Sequence, residues 1–242
     1  MGVSDSTDPG LTGASAEPRG SGDEPADPIP LRAADGRVPG RRGLATRQRL
    51  LLCTEEMLRT TSFRDLTVVV IARDAGTSPA TFYQYFPDVE AAIAVLAEDL
   101  SNEGSAVLVD VVRTGSWRGK AGYETALTLA DGFLDLWERH RAVLRVVDLA
   151  TDEGDRRFQN IRTHLLNQVT VALAEVIGRE RDAGRHPGDL DPMASAGVLI
   201  AMLAHVSAHR YGFEFWGIRT DDVRRSLGRI VFTTVTGQKA PA

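Results

Sequence analysis

Residues 67–87 read Thr67-Val68-Val69-Val70-Ile71-Ala72-Arg73-Asp74-Ala75-Gly76-Thr77-Ser78-Pro79-Ala80-Thr81-Phe82-Tyr83-Gln84-Tyr85-Phe86-Pro87. Thr67 is a good helix N-cap, because its hydroxyl can accept from a backbone N–H left free in the first turn. A short helix follows through Val68, Ile71 and Ala72 to Asp74. Ala75-Gly76-Thr77 ends it, since glycine enters the left-handed backbone region without a steric penalty. Ser78-Pro79 then starts a second helix, with serine as cap and proline at a first position whose N–H would be unpaired anyway. Phe82 and Phe86 are expected to face the core, and Pro87-Asp88 ends this helix and caps the next. Two short helices joined by a few residues containing a glycine make a helix-turn-helix. The run Thr67–Ile71 is β-branched, but its position between two caps assigns it to the first helix rather than to a strand.

Working outward, helical spacing extends over most of the chain. Upstream, Leu44 to Thr60 carries Leu50, Leu51, Met57 and Leu58 on one stripe, with Phe63 in the turn that follows. Downstream, helices are expected at about 88–113, 123–139, 155–182, 192–211 and 220–235, with a shorter stretch at 143–149. Residues 115–122 read as a break. Asp191-Pro192 repeats the cap-plus-proline signature, and Thr220-Asp221-Asp222 places acids where the helix dipole favours them. The fold class is therefore all-α: a three-helix, helix-turn-helix head followed by a helical body. The expected domains are a disordered segment at 1–40, the head at 41–90, the body at 91–236 and a short tail at 237–242. The segment 1–40 holds six of the eleven prolines and few large apolar residues, too few to offset the entropy of ordering it.

Composition narrows the function. The 242 residues include 28 Lys and Arg against 33 Asp and Glu, a net charge of −5. Non-specific attraction to nucleic acid is thus absent overall and must come from a local patch. Such a patch exists: residues 31–50 hold Arg32, Arg37, Arg41, Arg42, Arg47 and Arg49 against Asp35 alone, +5 in total, directly after an acidic stretch. The single cysteine, Cys53, excludes a disulfide framework and a cysteine-built zinc site within one chain. No apolar run reaches the roughly 18 residues of a membrane span, and the first residues lack a secretory pattern. A soluble, cytoplasmic protein with no membrane partner is expected.

The segment Thr46-Arg47 … Leu50-Leu51 … Phe63 … Thr67-Val68 … Ile71-Ala72 … Ala75-Gly76-Thr77-Ser78 … Thr81-Phe82-Tyr83-Gln84-Tyr85-Phe86-Pro87 … Glu90 resembles the DNA-binding domain of the TetR family of bacterial repressors, ungapped over about fifty residues. The Pro79–Pro87 run and the helix spacing are similar to its mycobacterial EthR-like branch. Three departures accompany the resemblance. Pro79 and Val89 replace residues that are usually polar or basic, and Val69-Val70 replaces an exposed polar pair. The recognition helix 78–86 consequently has no Lys or Arg.

A recognition helix enters the major groove N-terminus first. Thr77, Ser78, Pro79, Ala80, Thr81 and Gln84 are therefore the candidates to reach base edges, with Gln84 suited to adenine and the Ala80 methyl to thymine. Tyr83 and Tyr85 offer hydroxyls to phosphates, as does the helix end at Thr67. Arg42 and Arg47 can neutralise flanking phosphates. One such head reads too few base pairs, so a homodimer on half-sites about 34 Å apart is expected.

The expected dimer surface combines small residues on helix 192–211, Gly197, Ala201, Ala204 and Ala208, with Leu227, Ile230 and Val231 on the last helix. Packing of the small stripe inside one chain is the alternative. Trp117, Phe133, Trp137 and Phe158 can line an apolar cavity. The resemblance implies that such a cavity binds an inducer that changes the spacing of the two heads. With few charges near those aromatics in sequence, a hydrophobic or amphipathic small-molecule effector is expected.

No cofactor and no metal is expected: His205 and His209 lie four apart, but nothing local completes a metal site. No nucleophile motif, phosphate loop or carboxylate pair suggests an enzyme. The function implied is a ligand-responsive repressor on a palindromic operator. The rival is a ligand-binding or scaffold protein of the same fold that has lost specific DNA binding.

Overall fold

The computed structural model describes residues 40–241. The expected disordered segment, including Arg32 and Arg37 of the basic arm, therefore lies outside the described residues but for Gly40. Nine α-helices and one 3-10 turn are assigned among them, with no strand.

The head is built from α1 (Arg41–Thr60), the 3-10 turn Phe63–Asp65, α2 (Val68–Asp74) and α3 (Pro79–Tyr83). Leu50, Leu51 and Leu58 of α1, Ile71 and Ala72 of α2 and Phe82 of α3 close its core with Phe86. A fully buried side chain of this size contributes about 1.5–3 kcal/mol, which is what holds helices as short as α2 and α3. Val89, at the first position of the next helix, is also buried. Its departure from the family's usual polar residue is therefore a packing choice.

The body consists of α4 (Val89–Thr114), α5 (Gly119–Arg139), α6 (Arg141–Asp152), α7 (Arg156–Asp182), α8 (Pro192–Phe215) and α9 (Thr220–Thr236). Helix α7 packs against α4, α6, α8 and α9, and α5 against α8 and α9. Ser101 of α4 donates to the Ile161 carbonyl of α7 at 3.2 Å, and Arg224 of α9 bonds Asp131 of α5, Nη2 to Oδ2 at 2.7 Å. Asp88, Asp155 and Asp191 cap α4, α7 and α8 through their carboxylates.

Helix α5 begins four residues earlier than the spacing predicts. Gly119 and Gly122 read as breakers in sequence, yet both belong to its first turn. Gly122 is required there because a Cβ would stand 2.5 Å from the Trp117 carbonyl carbon. The stretch expected as a C-terminal tail is also tied down, since the Gly119 N–H donates to Gln238 Oε1 at 3.3 Å.

By length and composition one described helix, α8, meets what a membrane span needs, although no uninterrupted apolar run does. It is long enough, and an 18-residue window within it has a mean hydropathy of 1.3. His205 and His209 interrupt its apolar run. Only 33% of that window is buried within the chain. Near its end the helix kinks at His209 (φ −115°, ψ 16°).

Candidate nucleic-acid interface

The caps form as their residue types require. The Thr67 hydroxyl accepts from the Val70 N–H at 3.4 Å, and the Ser78 hydroxyl from the Thr81 N–H at 3.2 Å. Gly76 adopts φ +63°, which lets the Thr77 N–H reach back to the Ala72 carbonyl at 2.8 Å. The turn thus holds α3 across α2 with its first residues directed outward.

Ser78, Pro79, Ala80, Tyr83 and Gln84 are exposed, while Thr77, Thr81 and Tyr85 are half-buried. Phe82 and Phe86 lie inside, ring centres 5.4 Å apart. Tyr83 is 53% exposed and meets Phe82 only edge-on. Ser78 Oγ lies 3.0 Å from Thr81 Oγ1, so these two hydroxyls satisfy each other as well as the cap. That leaves Pro79, Ala80, Tyr83 and Gln84 as the freest groups of the outward face.

The arginines separate into two kinds. Arg42 is exposed in the first turn of α1, beside Arg41, in a turn without an acidic residue. Two cations at the positive end of a helix dipole cost on the order of 0.3–1 kcal/mol each, a penalty that a bound phosphate reverses. Arg47 is half-buried, its guanidinium 5.3 Å from the centre of the Phe86 ring. Burial lowers its pKa from the ordinary arginine value, with Asp99 opposing. Its apolar stem and cation cover the head's core, so only part of it is free for DNA.

The seven residues expected at the dimer surface divide. Ala201 and Ile230 are exposed and Gly197 half-exposed, but Ala204, Leu227 and Val231 are buried inside the protomer and Ala208 is partly so. The reason is that α8 and α9 each have two apolar sides, one used by the chain's own core. The outward apolar groups that were not anticipated are Val198, 70% exposed, and the α8–α9 corner with Phe215 and Trp216, 88% and 72% exposed.

The four aromatics expected to share a cavity do not meet in one. Phe133 and Trp137 stack, centroids 5.8 Å apart, while Phe158 is fully buried in α7. Trp117 is buried at the α4–α5 turn, its indole N–H donating to the Val112 carbonyl at 3.0 Å. Trp137 alone of the four borders a half-open groove of about 490 Å³, together with Arg145, Asp148, Leu149, Asp152, Arg162, Ala204, His205, Ala208 and His209, several of them exposed. The His205 and His209 rings stack at 4.3 Å on its rim. Its wall is far more charged than the aromatics' sequence neighbours suggested, because the charges come from α6 and α7, elements the aromatic spacing does not identify. Sequence reading also missed the head-to-body ion pair Arg64–Glu153, at 2.7 Å. Partners 89 positions apart leave no local signal.

Residues 108–242 match the family model described as "Tetracyclin repressor-like, C-terminal domain". The chain is 28% identical over 196 residues to the HTH-type transcriptional regulator EthR of Mycobacterium tuberculosis (strain CDC 1551 / Oshkosh), covering 78% of this chain and 86% of that one. A match of that extent necessarily includes the helix-turn-helix. It is 24% identical over 207 residues to EthR of Mycolicibacterium smegmatis, covering 85% and 94%. Among solved structures it shares the fold of FadR from Bacillus subtilis in complex with stearoyl-CoA, with TM-score 0.57, 14% identity and coverage of 79% and 98%. A body that matches the family model over more than half of the chain, carried behind a fully formed helix-turn-helix, places this protein in the TetR family of DNA-binding transcriptional regulators.

Proposed function

We propose that the chain is an effector-responsive repressor that binds a palindromic operator as a homodimer, with an operator-reading head at 41–90 and an effector-sensing, dimerising body at 91–236. The observation that carries the reading is the outward face of α3. Pro79, Ala80, Tyr83 and Gln84 stand free on a helix anchored from behind by Phe82 and Phe86. In this reading Ala80 and Pro79 pack on thymine methyls, Gln84 reads adenine, and Tyr83, Tyr85 and the helix end at Thr67 contact phosphates. Arg42, and in part Arg47, neutralise the flanking backbone.

The exposed side of α8, with Gly197, Val198 and Ala201, and Ile230 of α9 form the surface for the second copy. Small residues there allow close helix approach, and pairing removes an apolar face from water. The effector occupies the cavity beside Trp137. It weakens operator binding by preferring a spacing of the two heads that the operator does not fit.

Fluorescence anisotropy on the DNA upstream of the protein's own gene, titrated with salt, tests the central claim. Saturable binding that weakens steeply with salt, and at least tenfold on Tyr83→Ala, is expected. Affinity no better than for random DNA of the same length would favour a chain of this fold that no longer reads an operator there.

A further inference from the structure

Helix α6 stands between two spaces. One side borders the half-open cavity beside Trp137 through Arg145, Asp148, Leu149 and Asp152. The other borders a half-open pocket of about 350 Å³ against the head, lined there by Leu58, Phe63 and Arg64. Arg145 and Leu149 belong to both walls, and Arg145 also borders a smaller space beside Glu55 and Arg59 of α1. Just past the end of α6, Glu153 holds Arg64 of the head.

The charges of the cavity wall are not equally committed. Arg162 is paired with Asp148 at 3.1 Å. Arg145 makes no ion pair among the described residues, and Asp152 lies two helical turns further along α6, about 10 Å away. Asp152, like Arg145, makes no ion pair among the described residues, and His209 Nδ1 is committed to the His205 carbonyl at 3.0 Å, whereas the buried Trp137 Nε1 has no hydrogen-bond partner among the described residues. With Asp152 set apart along α6, the spare Trp137 N–H and the uncommitted Arg145 guanidinium are locally complementary to an acceptor with negative charge.

Resting on the effector reading above, we propose that the effector is an anionic amphipath and that Arg145 both selects it and relays its presence to the head. The apolar part lies against Trp137, Leu149, Ala204 and Ala208, and the anion draws the Arg145 guanidinium to the cavity side. An arginine on the ridge of α6 reaches either space but serves one at a time. Its turn inward withdraws it from the junction with α1, and α6 and the head lose a shared contact. The Arg64–Glu153 pair, with both side chains more than half exposed, is too weakly held to resist the shift. The effector thereby gains its differential affinity for the state in which the head has moved.

The test uses the full chain and three probes of equal length, decanoate, 1-decanol and decylamine, followed by calorimetry and by release of bound DNA. Wild type should bind decanoate at least tenfold tighter than decanol and tighter still than decylamine, and decanoate should release the DNA. Arg145→Met should keep the melting temperature but lose the preference for decanoate; because it removes the junction contact outright, it should bind DNA more weakly than wild type, with no further release on adding decanoate. Arg145→Lys, which keeps the charge, should restore the preference in part. Equal binding of decanoate and decanol, preference for the amine, or unaltered release in Arg145→Met would overturn the role of Arg145 while leaving an effector site in place. If none of the three probes binds, the effector reading itself falls with it.

Discussion

Phe82 and Tyr83 are neighbours in sequence with opposite duties. The first is fully buried between α1, α2 and Phe86, and the second stands in solvent on the outward face of α3. Phe82→Ala should remove about 3–5 kcal/mol and melt the head well below the wild-type temperature. Tyr83→Ala should leave the melting curve within about 0.5 kcal/mol of wild type, as for an ordinary surface change, while DNA binding falls. Circular dichroism melts beside anisotropy titrations check both. Loss of DNA binding by Tyr83→Ala only in step with unfolding would remove the distinction. At this scale the sequence was largely legible, since caps such as Thr67, Ser78 and Asp191 act within three residues of themselves. Gly122 was not. Its need for a bare Cα arises from the backbone of Trp117, a contact made only once α4 and α5 have turned toward each other.

Elements show where local signals stop being enough. The boundaries of α1, α2, α4, α7 and α9 lie within a few residues of those the periodicity predicts, because each carries a clear apolar face and α2, α4 and α7 also have side-chain caps at Thr67, Asp88 and Asp155. Helix α5 was shortened by its glycines, and the reach of α8 to Phe215 was hidden by the kink at His209. Because Gly122 sits in the first turn of α5, Gly122→Ala tests whether that turn is part of the folded body. We expect about 1–3 kcal/mol of destabilisation from overpacking, a drop of several degrees in melting temperature. DNA affinity per folded molecule should be unchanged, as the change lies outside the head. An unchanged melting point would mean that α5 begins at Tyr123, as its spacing first suggested.

At the scale of the whole molecule, periodicity identifies which residues share a helix face but not whose chain covers that face. Ala201 and Ala204 are three apart on α8, yet one is exposed and the other buried against the chain's own core. The cavity was illegible for a related reason, since its charged wall is assembled from α6 and α7 while its aromatic comes from α5. The proposed pairing makes a direct prediction. Wild type should sediment at twice the 26.2 kDa of the chain, and Ala201→Arg, which sets two like charges against each other across a two-fold axis, at the single-chain mass. That variant should also lose high-affinity operator binding with its head intact. A dimer that survives the substitution would move the interface elsewhere.

The bare outer side of α8 has a consequence for heredity as well as for assembly. If two reading heads must be joined through that side, a chain defective only in its head still pairs with a normal one. A cell making both chains equally would then hold about half of its assemblies mixed and half-blind, and only about a quarter with two working heads. Damage to Tyr83 would behave as a dominant trait, and damage to Ala201 as a recessive one, so the class of mutation recovered in a merodiploid screen would map the boundary between head and body.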